Sequence, residues 1–310
     1  MLAMVSVWGR LVAADTYTYD SDNNRTSKAI AATNSGGPAR GVSNAPSDST
    51  DSTSDSTMSA TKPVGRTITL SDFGAEDLAY LCVPTTPPTL GIVLVPDVYG
   101  LDSFTKAEAD RLAAMGYLVL AVDIYNGHTT TDPGDMASIT ANMNAESAMK
   151  TLDSGFRFFR ESPKFKVDHI VAMGWGTGAN YVFQAAREDK LLDGAITFYG
   201  PVETQSTRVG KFVAPLCSLY PEKDAVATHD NVMTFENLMK AAGNDFSAWF
   251  IAAGSGWSNP GSKTYNPTED KEAWKVAVPF LIRIAAEPVK DRKPPSIIDK
   301  AKDGIKKIFE

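Results

Sequence analysis

His169-Ile170-Val171-Ala172-Met173-Gly174-Trp175-Gly176-Thr177-Gly178-Ala179 is the stretch on which the fold turns. A short apolar run with strand character enters alternating glycines, and a segment of helical spacing follows as far as Glu188. A strand that passes through a tight turn into a helix is half of a βα unit. The turn has the outline of G-x-S-x-G, in which a sharp bend lifts the central side chain above the sheet. The central residue here is Gly176. Glycine adopts that strained backbone at little cost, so the bend can persist after the nucleophile is gone, with the Thr177 amide still pointing into the oxyanion position.

Outward from this turn the same alternation repeats. Strands are predicted at 67–70, 78–83, 91–95, 117–123, 169–173, 195–199, 213–220 and 247–252. Helices are predicted at 104–115, 135–160, 178–188, 230–242 and 269–286, the last kinked by Pro279. Near-continuous apolar runs such as Ile92-Val93-Leu94-Val95 suit a parallel sheet covered on both faces. The expected fold is therefore a doubly wound, mostly parallel α/β domain over residues 63–287. Ligands in such a sheet bind beyond the carboxyl ends of the strands. Those ends carry Asp97-Val98-Tyr99, Asp123-Ile124-Tyr125 with His128 in the following loop, Trp175 to Thr177, and Asp224.

The flanks differ in texture. Residues 1–62 are rich in Ser, Thr, Asn, Asp and Gly, ending in a run from Asp48 to Thr57, and such a stretch buries too little apolar area to offset its ordering entropy. It is expected to be a flexible tail. Its apolar opening, 1–14, is a weak signal-peptide candidate that lacks a basic start and is interrupted by Arg10, so a cytoplasmic location is favoured over export. Residues 288–310 form a Pro- and Lys-rich linker and an amphipathic helix from Ser296 to Phe309, with Ile297, Ala301, Ile305 and Ile308 on one stripe. That helix is expected to dock on its own domain or on a second copy of the chain, with a protein partner or a membrane surface as the alternative. A net charge of −7 argues against a nucleic-acid surface, and no apolar window is long enough for a spanning helix. Cys82 and Cys217 both lie in strand-like runs and read as core residues; with no C-x-x-C, no metal site is expected.

Several linked motifs make the chain resemble the dienelactone hydrolase family of α/β-hydrolases from about Phe73 to Ala286. They are Leu78 to Leu81, Pro96-Asp97-Val98-Tyr99-Gly100, Ala109 to Tyr117, Asp123-Ile124-Tyr125, Met173 to Gly178, and Phe198-Tyr199-Gly200. The resemblance implies hydrolysis of a small ester or lactone by a Cys or Ser nucleophile, with Asp and then His following in chain order. Carried over residue by residue, the nucleophile falls on Gly176, the acid on Asp224 and the histidine on Ser255. The carboxylate that the family keeps near its nucleophile falls on Asp97, one methylene shorter than the usual Glu. Two of the three triad positions are thus lost, and no catalytic residue is expected.

Only His128, His169 and His229 could substitute for the missing base. His169 precedes its strand, at the far end of the sheet from the turn. His229 opens a helix, and His128 has nothing to activate without a nucleophile at 176. The expected pocket comprises Asp97, Val98, Tyr99, Tyr125, His128, Trp175 and Thr177. The leading expectation is a catalytically silent member of the family, acting as a structural or binding subunit or holding a small molecule, with no cofactor. An active ester or lactone hydrolase built around Asp97, His128 and Asp224 is the alternative. A third reading takes Gly174-x-Gly176-x-x-Ala179 as a dinucleotide fingerprint, but the next strand lacks an acidic end for the ribose.

Overall fold

In the computed structural model the described residues are 65–210 and 212–290, together with the pairs Thr18–Tyr19 and Arg25–Thr26, which form a short antiparallel ribbon. Apart from that ribbon, the expected tail with its opening 1–14 lies outside the described residues, and so does the helix from Ser296 to Phe309.

Eight strands form the sheet of the main domain: β1 (Arg66–Thr69), β2 (Leu78–Cys82), β3 (Gly91–Val95), β4 (Leu118–Val122), β5 (Ile170–Trp175), β6 (Gly194–Phe198), β7 (Leu216–Pro221) and β8 (Phe246–Ile251). Their spatial order is β1-β2-β4-β3-β5-β6-β7-β8. β2 pairs antiparallel with both of its neighbours, and every other pairing is parallel. The helices are α1 (Ser103–Ala114), α2 (Pro133–Ala141), α3 (Ala145–Glu161), α4 (Gly176–Glu188), α5 (His229–Ala241) and α6 (Pro267–Ala285). This is the doubly wound α/β architecture expected from the sequence.

β3 to β7 are buried along their whole length. Because side chains alternate across a strand, each supplies two cores at once. Val93, Val95, Ile170 and Ala172 join the core shared with α3 and α4. Ile92, Leu94, Met173 and Trp175 join the opposite core, with α1 and α6. β3 leads to β4 on one side, whereas the chain from β5 onward moves to the other. The ends of β3 and β5 therefore border the switch point of the sheet, where a crevice opens. Asp97 follows β3, and Gly176 follows β5.

The structure corrects three expected elements. The single helix at 135–160 is two, because Asn142 ends α2 and Asn144 caps α3 by accepting the Ser147 amide at 3.0 Å. Strand β7 begins at Leu216 rather than Val213, since the amides of Val213 and Ala214 donate to the Ala186 carbonyl and not to the ladder. Helix α4 starts at Gly176 itself, two residues before the expected position. α6 continues through Pro279 to Ala285. Cys82 and Cys217 are both buried, as expected of core residues. No helix among the described residues is long and apolar enough to cross a membrane.

Candidate active site

The bend after β5 is sharp. Trp175 is the last strand residue and Gly176, at φ +47°, is the first of α4. The outer glycine of the turn is required by backbone contact: a Cβ at Gly178 would lie 2.4 Å from the Pro96 oxygen and 2.5 Å from the Val95 oxygen. α4 can begin against the end of β3 only because that side chain is absent. The central glycine is different. A Cβ at Gly176 would meet no backbone first but the Asp97 carboxyl, with Oδ1 at 2.4 Å and both Cγ and Oδ2 at 2.5 Å.

Asp97 thus fills the volume in which a nucleophile would begin. Its Oδ1 accepts the Val98 amide at 2.7 Å and the Thr177 amide at 2.9 Å. An oxyanion hole in this fold consists of the amide after the nucleophile and one from the loop after β3. Thr177 and Val98 hold those two places, and a carboxylate oxygen sits between them. Burial raises the proton affinity of Asp97 above the ordinary carboxylate range. The Thr177 and Val98 amides pull it back in part, the Asp102 charge adds to the rise, and the Thr177 hydroxyl opposes it.

The acid position behaves otherwise. Asp224 Oδ1 accepts the Val226 and Ala227 amides, each at 2.8 Å, and Oδ2 accepts the Ser255 hydroxyl at 3.0 Å. Burial pushes this carboxyl up, but the Ala227 and Val226 amides and the Ser255 hydroxyl outweigh it and leave the group below its ordinary value. Asp224 and Ser255, the positions expected for the acid and the histidine, are therefore joined by a hydrogen bond. Gly176, the third position, has no side chain to join them.

Among the described residues no histidine hydrogen-bonds to Asp97, Asp224 or Ser255. His128 is exposed and lines a cavity of about 310 Å³ with Tyr125, Ile139, Asn142 and Met143. Its charge is felt by Asp123. His229 stacks on Phe250 with centroids 3.7 Å apart, and His169 is buried just before β5, where its carbonyl accepts the Gly91 amide. The arrangement of Asp97, His128 and Asp224 anticipated for a non-standard hydrolase is not assembled by hydrogen bonds.

Of the expected pocket residues, Trp175 does not face the opening. It is fully buried, stacked on Phe198 at 5.1 Å and edge-on to Phe104 at 5.6 Å, because the strand alternation directs it into the core with α1 and α6. Val98 contributes its amide rather than its side chain. Tyr125 is buried and its hydroxyl donates to the Pro96 carbonyl at 3.5 Å. Tyr199 belongs to the site although the expected set omits it. At φ +40° just past β6, it lies edge-on to Trp257 at 4.8 Å, shares a hydrogen bond with Ser258 at 3.3 Å, and feels the Asp97 charge. Its only sequence signal is its place in Phe198-Tyr199-Gly200 at a strand end. A dinucleotide pyrophosphate at the start of α4 would meet the Asp97 carboxylate, which already takes the Thr177 amide.

A family model described as the dienelactone hydrolase family matches residues 78–285. A Bradyrhizobium sp. protein named "Probable 2-oxo-3-(5-oxofuran-2-ylidene)propanoate lactonase" is 22% identical over 223 residues, covering 67% of this chain and 90% of its own. The Aquifex pyrophilus protein named "Protein usf" is 22% identical over 231 residues, covering 70% and 98%. Among solved structures, a dienelactone hydrolase-like promiscuous phosphotriesterase from metagenomic libraries superposes with a TM-score of 0.61 at 16% identity, covering 71% of this chain and 98% of that one. The last likeness concerns the fold alone.

Proposed function

Because the chain belongs to the dienelactone hydrolase family, we propose that it uses this scaffold to hold a small molecule without cleaving it through a covalent intermediate. The observation that carries this reading is the Asp97 carboxyl, which lies within 2.5 Å of a Cβ position at Gly176 while its Oδ1 takes the Val98 and Thr177 amides. Covalent hydrolysis needs an attacking atom, a proton shuttle and a hole for the developing negative charge. Gly176 supplies no attacking atom, Ser255 supplies a hydroxyl in place of a shuttle, and the hole already holds a carboxylate oxygen, much as it would hold a bound product acid. Even the residual rate enhancement of an empty oxyanion hole, about 10³–10⁴ over water, is unavailable while Asp97 remains there.

The test is turnover of p-nitrophenyl acetate and dienelactone by the purified chain. The expected result is a rate equal to buffer. A measurable wild-type rate that disappears in Asp224→Ala would overturn the proposal.

The relatives' hydrolase names and the raised proton affinity of Asp97 favour a second reading, in which Asp97 acts as general base on a water molecule in single-step hydrolysis. It predicts a rate that climbs with pH through the Asp97 titration and vanishes in Asp97→Asn.

A further inference from the structure

We propose that the site has inverted polarity and binds a small ammonium cation, with Asp97 as its anchor. This rests on the reading of the site as a non-hydrolytic pocket and names the class of ligand it takes.

The backbone donors of the site are already committed, and two of its phenols are engaged. The Val98 and Thr177 amides both go to Asp97 Oδ1. The Tyr125 hydroxyl goes to the Pro96 carbonyl, and the Tyr199 hydroxyl is engaged with Ser258. The Asp97 Oδ2 atom takes neither amide, and at the turn the carboxyl has only the Thr177 hydroxyl as a side-chain partner, Gly176 beneath it having none. What the site offers a ligand is therefore a carboxylate oxygen where two backbone amides would otherwise point, the reverse of an oxyanion hole. Asp97, Tyr99, Gly176, Thr177 and Tyr199 are all partly exposed, so solvent and small solutes reach this end of the sheet.

Charge and aromatic surface point the same way. The other charge that Asp97 feels most is the carboxylate of Asp102, so an anionic ligand enters against two negative groups. Tyr125 and Tyr199 flank the carboxylate closely enough to feel its charge; burial and that charge both keep their phenols protonated, which leaves neutral rings beside it. A carboxylate with a second carboxylate and neutral phenols near it is an environment that attracts an ammonium group, chiefly through ion pairing.

Isothermal titration of the full chain with methylammonium, tetramethylammonium and acetate at low ionic strength tests this. Saturable binding of at least one ammonium probe is expected, with none of acetate. Asp97→Asn should keep the two amide contacts, and hence the fold, yet raise the ammonium Kd by at least about tenfold. Asp97→Ala should lose ammonium and gain acetate at the vacated amides. Failure of both ammonium probes to bind, acetate binding to the wild type, or an unchanged Kd in Asp97→Asn would overturn the inference. Ester turnover by the wild type is a separate readout: it would sink the non-hydrolytic reading whatever the titrations show.

Discussion

At the scale of single residues, positions 97 and 176 compete for one volume. A side chain at 176 and the carboxyl at 97 cannot coexist in this geometry, since the two would approach to about 2.4 Å. Gly176→Cys should therefore destabilise the protein by about 1–3 kcal/mol through overlap, in addition to the strain of a positive φ. Asp97→Ala should relieve the overlap, so a double-mutant cycle on urea midpoints is expected to show coupling of about 0.5–3 kcal/mol between the two sites. Additive effects would mean that the carboxyl moves aside freely. By the same argument, installing Cys at 176 and His at 255 should leave ester hydrolysis undetectable until Asp97 is also shortened. That Gly176 and Ser255 stand where the resemblance puts the nucleophile and the histidine is legible in the chain alone. The filling of the vacated space is not, because Asp97 lies 80 residues from Thr177 and only the fold sets its carboxyl between two amides.

At the scale of elements, α1 and α6 are joined by a charged clasp. Arg111 lies over the Trp274 ring at 3.6 Å and pairs with Glu108, while Asp270 sits beside them on the first turn of α6. Burial, and after it the Glu108 charge, push Asp270 up to about 7; Arg111, the nearby Trp274 indole and Lys271 act in the opposite sense. A carboxyl raised in the folded state binds its proton more tightly there than in the unfolded chain. The stability it contributes is complete below about pH 4 and is lost as pH rises toward 7. Asp270→Asn should accordingly flatten the fall of Tm between pH 4 and 7. An unchanged slope would show that Asp270 titrates normally. None of this is visible in the helical periodicity of α6, which reports the buried stripe but not which carboxylates another helix brings near it. The junction between α2 and α3 is a milder case: an apolar stripe runs across it, and the two asparagines that interrupt the helix act through hydrogen bonds, which periodicity does not register.

At the scale of the whole molecule, the sheet is fastened to its helical layer by a buried ion pair. Arg160 of α3 pairs with Asp193 just before β6, and both side chains are almost fully buried. The same guanidinium donates to the carbonyls of Val167, Asp168 and Leu191, and Asp193 accepts the Ile170 amide at 3.0 Å. One contact thus ties α3, the approach to β5 and the approach to β6. Asp193→Ala would leave the arginine buried without its counter-charge and should cost about 3–5 kcal/mol, read as a shift in the chemical denaturation midpoint; a shift below about 1 kcal/mol would place the pair among ordinary surface bridges. By itself the sequence determined the layered α/β architecture, the identity of the buried strands and the turn at 174–178. Those features follow from local causes: alternation of apolar residues, glycine where the backbone must bend, and chain order. Only the tertiary structure decided where Trp175 faces, that Tyr199 joins the site, and that Asp97 lies between the Val98 and Thr177 amides. The reason is physical: an amide pair becomes a binding site only when two strand ends distant in sequence meet at the switch point, and what occupies it depends on the length of a side chain measured in three dimensions.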